Sequence, residues 1–190
     1  MAVNPSAFHK YNVIDTCSIW NILSSARLYS ASLASKCEFI CTGFVHYGCI
    51  VKTRSCKIDS DIKLQKILTK EIEKGRFPIH HISIEDLQDI EALENRKRLS
   101  KGELSSIVFA KKIRQAFLTD DQGARKLAEM ILKNNLVQTT PQLFGWLFFT
   151  GQLTDGDKDI IIDNHKECNR PLSRYFNEMY LKALELRLAS

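Results

Sequence analysis

The sequence predicts an α/β protein, with helices packed on a central, mostly parallel sheet. Three observations carry this expectation. Short apolar runs alternate with segments of helical periodicity along the chain. Two of those runs end in aspartate, at Ile14-Asp15 and at Leu118-Thr119-Asp120-Asp121. No repeat, low-complexity tract or Gly/Ser linker interrupts the alternation. The 190 residues, 44% hydrophobic and 26% charged, suit one domain that buries a core without disulfide staples.

Taken in order, Tyr11–Ile14 reads as the first strand. Ser18 to about Ser35 reads as a helix, with Ile19, Ile22, Leu23, Ala26 and Leu33 at helical spacing. Glu38–Cys41 is a short strand, and Gly43 to Val51 a short helix. Ile58–Lys74 carries an apolar stripe (Ile62, Leu64, Ile67, Leu68, Ile72) and is stopped by Gly75. Pro78–Ile82 fits a strand. Ser83 and Asp86 form an N-terminal box for a helix running toward Leu99. Ser100 opens a helix through Ile113, and Ala116–Thr119 is the next strand. Ala124–Lys133 is helical, Leu136–Thr139 is a strand, and Thr140-Pro141 starts a helix, since proline suits a first turn. From Thr154 onward two helices are expected, broken near Pro171.

The formal net charge of +5 permits a polyanionic partner without requiring one. Six cysteines (17, 37, 41, 49, 56, 168) sit largely among apolar residues, which favours reduced, buried thiols in a cytoplasmic setting. Zinc is the alternative, but only Cys37 and Cys41 approach ligand spacing. The first ten residues contain no apolar segment of a secretory signal, and Leu143–Phe149 is too short to span a bilayer. No membrane association is expected.

The acidic residues carry the chemistry. In parallel α/β sheets the working site lies at the carboxyl ends of the strands. Asp15 and the Asp120-Asp121 pair follow strands directly, and Glu103 opens the helix after Ser100. Each has a structural alternative. An aspartate at a helix start is a cap, and Ser100-Lys101-Gly102-Glu103 has the spacing of a capping box. Two adjacent carboxylates repel unless N–H donors or a cation compensate, and magnesium favours such oxygen ligands. Sequence-distant acids meeting at one sheet edge point to a shared magnesium or manganese site.

The segments Val13-Ile14-Asp15-Thr16, Leu99-Ser100-Lys101-Gly102-Glu103-Leu104 through Ala110, and Phe117-Leu118-Thr119-Asp120-Asp121-Gln122-Gly123-Ala124-Arg125 together resemble the PIN-domain family. The last two are similar to the Gly-Glu helix and Asp-Asp-x-x-Ala-Arg segment of a bacterial and archaeal branch. The likeness spans about residues 11–151. It implies a three-layer α/β/α fold over residues 1–153, with 154–190 as a helical extension packed on the domain or a partner. It further implies a metal-dependent nuclease cutting phosphodiesters, most often in RNA. Asp15, Glu103 and Asp121 carry over as metal-binding acids and Asp120 as the additional acid of the double-Asp branch. Thr16 and Thr119 hydrogen-bond within the site. The chain departs from the family in Thr42–Cys49, where many members have a further acid and this sequence has none.

Under this reading the metal activates water and stabilises charge on the phosphate. Arg96, Lys97, Arg98, Lys101 and Arg125 guide the polyanion, unless the basic run is only a solvated helix end. The resemblance also implies an RNA-processing, phage-defence or toxin role, the toxin with an antitoxin partner. A homodimer is a further expectation. Leu181, Leu184, Leu186 and Leu188 form the expected partner surface, or else pack on the chain's own core. The rival is a PIN-fold module that binds RNA or protein without cutting. A phosphohydrolase of the haloacid dehalogenase type is disfavoured because Cys17 stands where those enzymes have a second aspartate.

Overall fold

In two stretches adjacent apolar residues, Val13-Ile14 and Phe117-Leu118, demand cover on both faces of a strand, because successive side chains point opposite ways. The computed structural model describes residues 4–51, 59–94, 99–133 and 135–189. It places these pairs side by side at the centre of a five-stranded parallel sheet. The strands are β1 (Tyr11–Ile14), β2 (Glu38–Thr42), β3 (Ile79–His80), β4 (Ala116–Leu118) and β5 (Val137–Gln138), in the order β3-β2-β1-β4-β5. The register pairs Val13 with Ile40 and Phe117, and Ile14 with Leu118.

Val13 and Phe117 face one core, with Ile90, Leu104, Ile107 and Leu127. That layer is α5 (Ile84–Glu94), α6 (Lys101–Ile113) and α7 (Gln122–Ile131). Ile14 and Leu118 face the other core, with Ile19, Leu28, Leu68, Phe144, Ile161 and Phe176. Its layer holds α1 (Thr16–Leu23), α2 (Ala26–Ala34), α4 (Asp59–Glu73), α8 (Thr140–Phe149), α9 (Asp155–Glu167) and α10 (Ser173–Ala189). The result is a three-layer α/β/α fold. Between β2 and α4 stand α3 (Gly43–His46) and a π-helical turn, Tyr47–Val51.

Several local expectations hold in detail. Asp86 Oδ2 accepts the Ser83 N–H at 2.9 Å, and Ser83 Oγ accepts the Asp86 N–H at 3.2 Å. Gly75 ends α4 at φ +76°, a conformation glycine adopts without strain. The helix expected from Ser18 to Ser35 is instead two helices. The Ser24 hydroxyl donates to the Trp20 carbonyl at 2.7 Å, and Ser25 caps the next helix through the Leu28 N–H. Serine competes for backbone partners in this way and breaks a helix its neighbours would continue.

The segment after Thr154 joins the α1/α8 core rather than forming one of its own. Phe144 and Phe176 pack at 4.6 Å between ring centroids, and His165 lies 4.7 Å from Phe176. Helix α10 buries Phe176, Met179 and Ala183, while Leu181 and Leu188 are 58% and 90% exposed. Leu184 and Leu186 are partly buried, so the expected leucine cluster is divided between core-facing and exposed positions. Among the described residues Cys17, Cys37, Cys41 and Cys168 form no disulfide, and Cys56 lies outside the described residues. Among the described residues no helix is long and apolar enough to cross a membrane.

Candidate active site

The strand order turns back between β1 and β4. From β1 the chain winds outward through β2 to β3, then crosses to β4 and β5 on the other side. Such a reversal splays the connections apart and opens a crevice at the carboxyl ends of the strands. Asp15 and Asp120 lie there. The Asp15 N–H donates to the Leu118 carbonyl at 3.4 Å, which sets Asp15 beside Thr119.

Asp15 is 1% exposed. Its Oδ1 accepts the Ser18 N–H at 2.8 Å, capping α1, and its Oδ2 accepts the Thr119 hydroxyl. Burial pushes its carboxyl up to about 7; the Thr119 and Ser18 hydrogen bonds oppose this, while the Asp120 charge adds to it. Asp120 is held by more donors: Asn21 Nδ2 at 2.8 Å, the Ser18 hydroxyl at 3.2 Å, the Thr140 N–H at 2.9 Å and the Thr140 hydroxyl. Ser18 thus bridges the two acids, its N–H on Asp15 and its hydroxyl on Asp120. Asp121 Oδ1 caps α7 through the Ala124 N–H at 2.7 Å, and the Asp121 N–H donates to the Thr119 hydroxyl oxygen at 3.2 Å.

Helix α6 starts at the same edge. Ser105 Oγ lies 2.7 Å from Oγ1 of Thr42, the last residue of β2. A Cβ added at Gly123 would lie 3.2 Å from Leu99 and 3.1 Å from Asp121 Oδ1, so the approach to α6 runs beside the first turn of α7. Glu103 makes the capping box: its Oε2 accepts the Ser100 N–H at 2.8 Å, and Ser100 Oγ accepts the Glu103 N–H at 3.3 Å.

All four acids therefore serve helix N-termini: Asp15 for α1, Glu103 for α6, Asp121 for α7 and Asp120 for the first turn of α8. The expected single cluster does not form in this arrangement. Among the described residues no three His, Cys, Asp or Glu side chains stand together as a metal-holding group. Each acid is drawn to its own backbone donors, where partial positive charge collects. Glu103 Oε1 and Asp121 Oδ2 nonetheless keep no hydrogen-bond partner among the described residues. No described Lys, Arg or His lies within ion-pair distance of any of the four.

Of the expected substrate contacts, Thr119 bonds the acids and Thr16 begins α1 beside Gly48, where an added Cβ would meet its hydroxyl at 3.7 Å. Lys101 is exposed at the start of α6, and Arg125 is half-buried on α7. Arg96, Lys97 and Arg98 lie outside the described residues. The Thr42–Cys49 segment follows β2 to this edge and brings no carboxylate.

Sequence reasoning missed Ser18, Asn21 and Thr140, which fix Asp120. The three-residue step from Ser18 to Asn21 puts both on one face of α1, and Thr140 opens α8 two residues after β5. It also missed His165, fully buried, whose Nε2 is 2.7 Å from the Asn21 carbonyl while Asn21 holds Asp120. Cys17 adjoins the acids; burial pushes its thiol up to about 12, and the Asp15 and Asp120 charges push the same way. No family model, curated protein or solved structure matches the chain.

Proposed function

We propose that this chain is a metal-dependent nuclease of the PIN-domain kind, cutting RNA phosphodiesters. The observation that supports it is electrostatic. Asp15 and Asp120 share Ser18 across two central strands, Asp121 follows directly, and no side-chain cation compensates them among the described residues. A buried carboxyl with its proton affinity raised to about 7 is one that a divalent cation would return to its ionised form.

The donor set suits magnesium or manganese, since it offers only hard oxygens. Asp15, Glu103 and Asp121 are the acids that would hold the ion, and since each caps a separate helix in the described arrangement, holding it would require these side chains to move toward one another. A bound ion supplies activation of water and neutralisation of charge at phosphorus. Asp120, fixed by Asn21, Ser18 and Thr140, orients rather than ligates. Thr119 keeps Asp15 in position, and Lys101 and Arg125 face the polyanion. The unbridged Cys17, Cys37, Cys41 and Cys168 accord with a cytoplasmic setting. A toxin with an antitoxin partner is the role we place next to general RNA processing.

One observation favours a binding module that does not cut: every acid already has a satisfied capping role. The two readings separate in a cleavage assay on labelled single-stranded RNA, run with magnesium, with manganese and with chelator. The nuclease reading expects cleavage that requires metal and is lost in Asp15→Asn and Asp121→Asn. Binding without metal-dependent cleavage, or cleavage indifferent to Asp15→Asn, would overturn it.

A further inference from the structure

A cleft of about 1140 Å³ runs beside β5, the end strand of the sheet, with Asp120 in its lining. Residues 4–10, α7, α8 and α10 line it. Four cations lie along it: Lys10, Arg125, Lys126 and Lys182. None has an ion-pair partner among the described residues. Of the carboxylates in the lining, Asp120 is committed to Ser18, Asn21 and Thr140, and Glu178 pairs with Arg174 at 2.9 Å. Asp120, whose hydrogen-bond donors are all neutral, and Glu129 remain to oppose four positive charges without ion-pair partners.

The same lining offers one open aromatic face, Tyr175, beside a Trp146 that Phe8 and Lys10 cover. Tyr175 is 53% exposed. Phe8 stacks on Trp146 at 5.4 Å between centroids, and the Lys10 ammonium sits 5.7 Å from that ring. Cations that follow a backbone, combined with aromatic faces that take bases of any identity, are the two components of a single-strand track. Duplex binding has no use for an aromatic face inside a cleft. A peptide strand added along β5 would use main-chain hydrogen bonds and leave four cations unmatched.

We propose that this cleft is a single-stranded nucleic-acid track, in which α10 and the N-terminal segment hold the strand that leads away from the acids. It deepens the nuclease reading and rests on it only for the meaning of Asp120 in its lining. Lys126 and Lys182 touch phosphates from opposite elements, α7 and α10, and Tyr175 stacks a base. The C-terminal helices thereby bind substrate as well as filling the core.

The test is fluorescence polarisation of the full chain with a labelled, unstructured RNA of about 12 nucleotides. Chelator is present, so that no cleavage intervenes. The same sequence as duplex and as single-stranded DNA forms two further arms. Lys126→Glu/Lys182→Glu is expected to weaken single-strand binding at least tenfold and to flatten its salt dependence, the logarithmic slope falling by about one for each phosphate no longer neutralised. Tyr175→Ala is expected to weaken it about fivefold or more, as removal of one stacking platform should. Lys70→Glu, the same charge change on α4, is expected to leave binding unchanged. Melting curves check that each variant folds. Binding of duplex as tightly as single strand, no RNA binding at all, or equal weakening by Lys70→Glu would overturn the track. The two proposals fail separately. If the cleft variants weaken binding but Asp15→Asn still cleaves, the acids are misread and the track stands. If Asp15→Asn abolishes cleavage but the cleft variants bind normally, the track is wrong.

Discussion

Removing the buried charge at Asp15 is expected to stabilise the protein at alkaline pH and not at acid pH. The carboxyl moves from its ordinary 3.8 to about 7 on folding, chiefly by burial. Because the folded form holds its proton more tightly than the unfolded chain, this group favours folding fully below about pH 4. That contribution is lost as pH rises through 7. At about 1.4 kcal/mol per pKa unit, the ionised carboxylate opposes folding by about 4 kcal/mol at pH 8. Asp15→Asn keeps the oxygen that caps α1 and removes the charge. It also turns an amide N–H₂ toward the Thr119 hydroxyl, losing a bond worth about 1.5–2 kcal/mol. The balance is a gain of about 2 kcal/mol at pH 8, and a loss of about 1.5–2 kcal/mol at pH 4, where the wild-type proton is already in place and no charge is relieved. For a chain of this size the gain raises the melting temperature by about 4–8 °C. Urea titrations of both proteins at pH 4 and pH 8, with chelator, measure the difference. Added magnesium is expected to raise wild-type stability, by about 2.7 kcal/mol at a hundredfold excess over Kd, and to leave Asp15→Asn unmoved. A mutant less stable than wild type by the same amount at both pH values would refute the reasoning, since Asp15 would then be an ordinary cap.

Two other perturbations test the frame that holds the site. At Gly145 an added Cβ would come 2.9 Å from Pro5 Cβ, 3.0 Å from Met179 Cβ and 3.2 Å from the Met179 carbonyl, so Gly145→Ala is expected to cost about 1–3 kcal/mol in a denaturant melt. Glu71 is held down to about 2 by Lys74, Tyr29 and Arg76 against the opposing effect of burial, so its stabilisation is present above about pH 4.5 and lost as pH falls toward 2; Glu71→Gln is expected to flatten the acid limb of the stability profile.

How much was legible follows from the range of each interaction. Strand ends and caps are written in neighbouring residues: an apolar pair followed by aspartate, or serine followed three residues later by glutamate. Asp15, Glu103 and Asp121 accordingly stand at the positions the sequence indicates. What holds Asp120 was not legible in the same way, because Asn21 and Thr140 reach it from 99 and 20 residues away. The Ser24-Ser25 break was hidden for another reason: serine is tolerated inside helices, and only the competition for the Trp20 carbonyl decides the outcome. The Asp-Asp pair illustrates a third limit. Its repulsion is visible in sequence, but whether N–H donors or a cation relieve it depends on groups brought together by the sheet.

The division of the core between the two sheet faces has a kinetic consequence. The layer that covers Val13 and Phe117 draws most of its buried residues from positions 90–132, whereas the layer that covers Ile14 and Leu118 joins position 14 to position 183. Pairings between near neighbours close small loops and form fast; pairings across the chain wait for large ones. The acids depend on both, since Asp121 and Glu103 open helices of the local layer while Asp15 and Asp120 are tied to helices of the distant one. Magnesium affinity during refolding is therefore expected to return later than helical signal, which would make it a reporter of the final, long-range closure.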